Sequence, residues 1–338
     1  MDLNGDIMSK EMIIDKEYYS DTSRISNSAI GVYLKKGPLA LKHLMDGEDE
    51  KLSLPALEIG TMIHEYILQP EEFWKDYCIL DFTIPKVKQQ KDLLDEYHRL
   101  MEIDPFKSQD EIKLAAYRKA YNNKKKDNKC IKETEDLIMV YQDYLEYLSN
   151  KNNKKVISFA DLNTLKKIKQ NLQEHKKANE LLFNLSDKWE CYNEFHINWE
   201  CQNVQCKSLL DRVCFNFEEK KVILIDLKTT PNVYDFKHSI DEFDYYRQLA
   251  YYIMAIFWYL KNIKEIDPND FDLEVYIIAI GKDKDNQIRV FNMFNGIELT
   301  NRGKLLTNTL KAINYHISSN NWEHSKEYYD STGIEEVS

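Results

Sequence analysis

Asp211, Asp226 and Lys228 are the residues of this sequence whose types and spacing could do chemistry together. Asp226 and Lys228 stand two apart on VILIDLK, a segment otherwise built for burial, and strand alternation sets both on one face. A short polar turn near Glu218–Lys220 separates them from the strand carrying Asp211, so antiparallel pairing can bring Asp211 alongside. An acid and a lysine on an apolar strand are costly unless they pair or bind a metal. Two carboxylates offer hard oxygen ligands to Mg²⁺ or Mn²⁺, and a neighbouring lysine can orient or deprotonate a water and offset developing charge. Together they suit metal-assisted hydrolysis of a phosphodiester. A structural Asp–Lys ion pair at a strand end accounts for the same spacing.

Two further features carry polar groups on apolar helices. In GTMIHEYIL the small pair Gly60–Thr61 allows close approach of a helix, and His64 follows among Ile63, Ile67 and Leu68. Such a histidine is either a metal ligand or a satisfied core residue. In YYRQLAYYIM, Tyr245, Gln248 and Tyr252 share one helix stripe, which is either functional or the polar edge of a packed helix.

The elements that must position these groups follow from periodicity. Residues 1–23 read as a flexible leader and 24–82 as helices, with a break at Gly37–Pro38 and another helix from Pro55 to a stop at Pro70. Residues 83–185 read as a Lys-, Asn- and Glu-rich helical insertion. Beyond Lys188 the period switches to two, predicting three consecutive strands with tight turns at CQN and EEK. Two helices, two more strands and a final helix over roughly 297–318 complete the region 186–324, and 325–338 reads as a frayed acidic tail. The core order αβββαββα predicts a central mixed sheet flanked by helices, of the α/β or α+β class.

Composition sets limits. The 338 residues are 43% hydrophobic and 30% charged, with a mean hydropathy of −0.59, as in a globular chain. No run approaches the roughly 18 apolar residues of a membrane span, and the acidic N-terminus is unlike a signal peptide, so the chain is expected in the cytoplasm. The formal charge of −11 argues at first against a nucleic-acid partner. That charge is uneven: residues 151–177 hold eight lysines against Asp161 and Glu174. Six cysteines form no CxxC pair, which disfavours a zinc or iron–sulfur cluster and favours reduced thiols.

As a set and in order, ISNSAIGVYLKKGPLA, GTMIHEYILQPEEF, NEFHINWE, CKSLLDR, VILIDLKTT and FKHSIDEFDYYRQLAYY resemble the PD-(D/E)xK nuclease superfamily. Within it the likeness is to the phage and prophage exodeoxyribonuclease VIII (RecE-like) branch, over roughly 24–80 and 190–260. The resemblance implies a restriction-endonuclease-like core and a Mg²⁺- or Mn²⁺-dependent exonuclease. Such an enzyme degrades linear double-stranded DNA from its ends, 5′ to 3′, beside a single-strand annealing protein and as a homo-oligomer. Asp211 and Asp226 then match the metal-binding acids, Lys228 the catalytic lysine, His64 a further metal ligand, and Gln248 and Tyr252 the Q-x-x-x-Y helix. The Leu227 carbonyl is a further candidate ligand. Glu194 matches an acid on the first core strand, where a solvated position fits equally well. Arg24, Ser26 and Ser28, at a helix start, could receive a phosphate, while capping explains the serines as well. The sequence departs from the family at Leu209, where an arginine is usual. An endonuclease or structure-specific repair nuclease on the same core, and a non-catalytic DNA-binding scaffold, are the alternatives.

Overall fold

The computed structural model of the chain describes residues 18, 20–48, 55–80, 83–103, 107–121, 124–150, 154–331 and 333. Two compact units emerge, Met1–Pro70 with Leu165–Ser338, and Glu71–Thr164. The first unit opens with helices α1 (Asn27–Lys36), α2 (Pro38–Met45) and α3 (Pro55–Leu68). Next come α4 (Pro70–Asp76), β1 (Tyr77–Leu80), α5 (Lys88–Ile103), α6 (Gln109–Ala120), α7 (Asp127–Val140), α8 (Gln142–Asn150) and β2 (Lys155–Ser158). Helix α9 (Phe159–Glu174) runs back into the first unit. There α10 (Lys176–Phe183), β3 (Glu190–Cys201), β4 (Val204–Asn216), β5 (Lys221–Thr230), α11 (Phe236–Glu242) and α12 (Tyr245–Asn262) follow. The first unit closes with β6 (Asp272–Gly281), β7 (Ile288–Asn292), α13 (Gly296–Ser319) and α14 (Lys326–Asp330).

Strands β3 to β7 form one five-stranded mixed sheet in sequence order, in which only the β5–β6 pair is parallel. An antiparallel meander followed by a helical crossover to a parallel strand is the layout of a restriction-endonuclease-like core. The CQN turn is a two-residue hairpin in which Gln202 and Asn203 both take positive φ, 55° and 60°, matching the twist of the flanking strands. Strand β5 lies in the middle of the sheet and is buried on both faces, hence its unbroken run of apolar residues around one acid. One face carries the main core, where Ile30 of α1, Leu41 of α2, Phe236 of α11, Leu249 and Ile256 of α12 and Leu310 of α13 meet Leu210, Leu224 and Ile277. Helix α3 lies against β4 and β5.

The second unit has its own core of Leu93, Leu94, Tyr117, Cys130 and Tyr144, drawn from α5 to α8. Its sequence reads as helical throughout, yet β1 and β2 pair as a short parallel sheet. Four-residue strands are too short for periodicity to reveal. The predicted helices also divide. The stretch DLIMVYQDYLEYL breaks at Tyr141, and DLNTLKKIKQNLQEHKKANELL breaks at His175, whose Nδ1 caps α10 by accepting from Ala178 N. Residues 165–183, read from sequence as part of the insertion, lie in the first unit.

Three further expectations change. Cys191 and Cys214, predicted as free thiols, oppose each other in the β3–β4 ladder at a Cα separation of 4.0 Å and form a disulfide. Within the predicted acidic tail, Ser325 caps α14 by accepting from Tyr328 N, while residues 332 and 334–338 lie outside the described residues. Of the predicted leader, 1–17 and 19 lie outside the described residues, but the carbonyls of Tyr18 and Asp21 both accept from Lys207 Nζ at 2.5 Å. Among the described residues no helix is long and apolar enough to cross a membrane.

Candidate active site

Asp211 sits where β4 parts from β5. The β4–β5 ladder runs from Asn216↔Lys221 to Arg212↔Ile225 and stops. The next rung would set Asp211 opposite Asp226, and like charges directly across a ladder are destabilising. Instead Asp211 Oδ2 accepts a hydrogen bond from Leu227 N at 2.7 Å. The segment before α1 takes the place β5 vacates: Ile25 N donates to Gln205 O, and Lys207 N donates to Ile25 O, each at 2.9 Å. Tyr251 of α12 fixes it by donating to Ile25 O at 2.6 Å. Ser26 and Ser28 are thereby delivered to the cleft this parting opens.

On the other side of β4, the ladder to β3 skips a rung between Asn193↔Arg212 and Phe195↔Leu210, where Asp211 and Glu194 lie, and Glu194 is held at φ 47°, a left-handed backbone that a glutamate adopts only at a cost. Alternation slips there on both strands. Leu210 and Val213 of β4 enter the same core face, as do Phe195 and Tyr192 of β3, so each strand turns two successive residues away from that face. His64 of α3 completes the group, with Nδ1 3.6 Å from Asp211 Oδ2. One ligand atom each from His64, Glu194 and Asp211 lie within 4.8 Å of one another. Two carboxylates and an imidazole so placed could hold a divalent cation.

Asp226, the other acid of the motif, is held by its own partners. It is 1% exposed, Lys228 Nζ lies 2.6 Å from its Oδ2, and Gln248 Nε2 donates to its Oδ1 at 3.2 Å. Gln248 Nε2 also donates to Tyr252 Oη at 2.9 Å, so the predicted helix stripe meets the predicted strand pair. Burial pushes the Asp226 carboxyl up to about 6, against the pull of Lys228 and with a further push from Asp211. Burial alone would lower Lys228, but Asp226 and Asp211 outweigh it, so its ammonium is held above its ordinary value and stays charged. The ammonium also sits 5.2 Å from the centre of the Tyr245 ring. Burial raises the Tyr252 phenol well above its usual range, so Tyr252 is a neutral hydrogen-bonding group.

Ser26, Ser28, His64, Glu194, Asp211, Leu227, Lys228 and Tyr252 are among the residues that line a cleft of about 540 Å³. Gly60 brings α3 against its floor, where a Cβ would stand 3.4 Å from Thr229 Oγ1, in contact with it. Ser26 is occupied as the α1 cap, accepting from Ala29 N at 3.2 Å. Arg24 lies beside Asp21, at 3.5 Å, and is not among the lining residues. Leu227 reaches the site through its amide. Sequence reasoning passed over Tyr18, Glu65, Gln69 and Lys207, which also line the cleft. Lys207 carried a legible signal, a cation four residues before Asp211 on the same strand, whereas Glu65 and Gln69 read as ordinary helix surface.

No known family model matches the chain, and no curated protein matches it significantly. The chain is similar in structure to the crystal structure of a provisionally named exonuclease from Eubacterium rectale. The likeness has a TM-score of 0.49 at 11% identity and covers 96% of this chain and 95% of that one.

Proposed function

We propose that this protein is a divalent-metal-dependent nuclease that hydrolyses phosphodiester bonds of DNA, working as a RecE-like exonuclease on the ends of linear duplex. The observation that carries the proposal is the meeting of His64, Glu194, Asp211 and Lys228 in one cleft, with Asp226 pairing Lys228 and Gln248 holding Asp226, a set drawn from five separate elements. A structural ion pair would need only Asp226 and Lys228.

His64, Glu194 and Asp211 would hold Mg²⁺ or Mn²⁺, their donor set of two hard oxygens and one imidazole being compatible with either. When bound, such an ion supplies Lewis-acid stabilisation of a phosphoryl oxygen and makes water a better nucleophile. Lys228 enters the reaction as a cation, since the two carboxylates hold its proton in place. It orients a water through that water's lone pairs and offsets negative charge that grows on the phosphate. Asp226 fixes the lysine, and Gln248 fixes Asp226. Asp211 is anchored through the Leu227 amide, so the cleft is organised before substrate arrives.

End polarity, oligomerisation and a partner annealing protein belong to this proposal through the family resemblance. Linear duplex labelled separately at each 5′ and 3′ end, incubated with and without Mg²⁺, tests activity, metal and polarity together. Release of 5′ label first, only with metal, is expected. Cutting of closed circular duplex would instead assign an endonuclease.

A further inference from the structure

Arg247 is a cation that the chemistry above leaves unused. It follows Asp244, the αL cap of α12, and precedes Gln248, so successive side chains of one helix turn point to different neighbours about 100° apart. Gln248 reaches Asp226, whereas the Arg247 guanidinium lies against α1. Its two terminal nitrogens stand 3.1 and 3.2 Å from where a Cβ on Gly31 would be, so Gly31 makes the room it occupies. Arg247 is 8% exposed. Its Nε has no hydrogen-bond partner among the described residues, and the nearest carboxylate oxygen, Asp244 Oδ2, is 3.9 Å away.

A second guanidinium shares that acid. Arg302 of α13 places Nε 2.9 Å from Asp244 Oδ1 without the alignment of a hydrogen bond. Asp244 Oδ1 already accepts from Arg247 N at 3.4 Å. One carboxylate therefore faces two guanidiniums at the amino end of an 18-residue helix, and the Nε donors of both arginines are left without a hydrogen-bond partner among the described residues. A buried guanidinium with unmet donors is expensive unless an anion completes it. Burial pulls Arg247 below its ordinary value, against Asp244 and with Arg302, as expected of a cation short of counter-charge.

We propose that Arg247 and Arg302 form an oxyanion site that takes a phosphate group, separate from the cleft, whose lining includes neither arginine. Paired guanidiniums present planar forks that match tetrahedral phosphate oxygens. Gln248 and Arg247 leave the same helix turn, so a group bound to one side bears on a helix whose other side holds Asp226. That the phosphate belongs to a nucleic-acid strand rests on the nuclease function proposed above.

Calorimetric titration of the full chain in EDTA with inorganic phosphate, at constant ionic strength set by chloride, tests the site. Saturable binding is expected, weakened at least roughly fivefold in Arg302→Gln and in Arg247→Lys, which keeps charge but loses the fork. Absence of saturable binding to the unaltered chain, or equal affinity in a folded Arg302→Gln variant, would overturn it. The source of the phosphate is read from binding of Lys228→Ala protein to duplex DNA in Mg²⁺ over a salt series. Adding Arg302→Gln should lower the salt slope by about one if a strand supplies the phosphate. An unchanged slope with phosphate binding intact overturns the strand as source and assigns the site to free phosphate. If Lys228→Ala protein binds no DNA, the nuclease proposal fails while the phosphate titration still decides the site.

Discussion

Lys228 and Asp226 are spaced by a dipeptide pattern, but their partners come from distant parts of the chain. Lys228→Ala or Asp226→Asn should lower DNA hydrolysis by at least about a hundredfold, in line with loss of a preorganised charge at a reacting phosphate. Breaking a buried pair costs about 3–5 kcal/mol, and a native protein holds about 5–15, so cooperative melting of the variants should persist. Wild-type turnover in either variant, measured beside its melting curve, would remove the site. Glu194 and Gln248 separate two roles. Glu194→Gln should raise the Mg²⁺ concentration for half-maximal activity roughly tenfold or more, as disturbance around a metal does. Gln248→Ala loses a bond to a carboxylate, about 1.5–3 kcal/mol, and should slow hydrolysis roughly tenfold to a hundredfold at unchanged metal requirement. A metal titration of both variants distinguishes these outcomes, and an unchanged Mg²⁺ requirement in Glu194→Gln would return that residue to a purely structural part.

The elements differ in how plainly the chain announces them. Strands β3 to β5 and helix α12 are long, so apolar runs, stretches of alternation and turn residues reveal them. By contrast β1 and β2, four residues each, leave no periodic trace and depend on pairing across some seventy-eight positions of sequence, as Tyr77↔Lys155 illustrates. Within the second unit, Glu96 of α5 is a buried charged group tied to a neighbouring helix. It accepts from Arg99 Nε at 2.9 Å and from Lys119 Nζ of α6 at 2.6 Å. The Arg99 hydrogen bonds, followed by that from Lys119, hold its carboxyl at about 2, below the ordinary value of 4.5. A carboxyl depressed on folding adds stability that is present above the unfolded value and disappears as pH falls through the folded one. Glu96→Gln should therefore lower the melting temperature at neutral pH, with the gap narrowing as pH drops below about 4.5 toward 2. A constant gap across that range would show that packing, and not charge, holds α5 to α6.

For the whole molecule, the charge of −11 leads to a definite expectation about DNA. With divalent metal removed, carboxylates at the cleft stand uncompensated, so binding to duplex should be weak and fall steeply with added salt. Salt-insensitive binding in EDTA, measured by fluorescence anisotropy, would contradict that expectation. The amino-acid sequence by itself determined the succession of the core elements, the burial of β5 and the shared face of Asp226 and Lys228, because strand period, hairpin turns and continuous apolar runs are local properties. It also marked His64, Gln248 and Tyr252 as polar groups on apolar helices. Only the tertiary structure decided that Asp211 leaves the ladder to take the Leu227 amide, that Glu194, at a positive φ within β3, joins His64, and that Cys191 meets Cys214. Each of those depends on a register slip or on contact between segments far apart in the chain, where the physical cause is the repulsion and packing of groups that no local pattern brings into view.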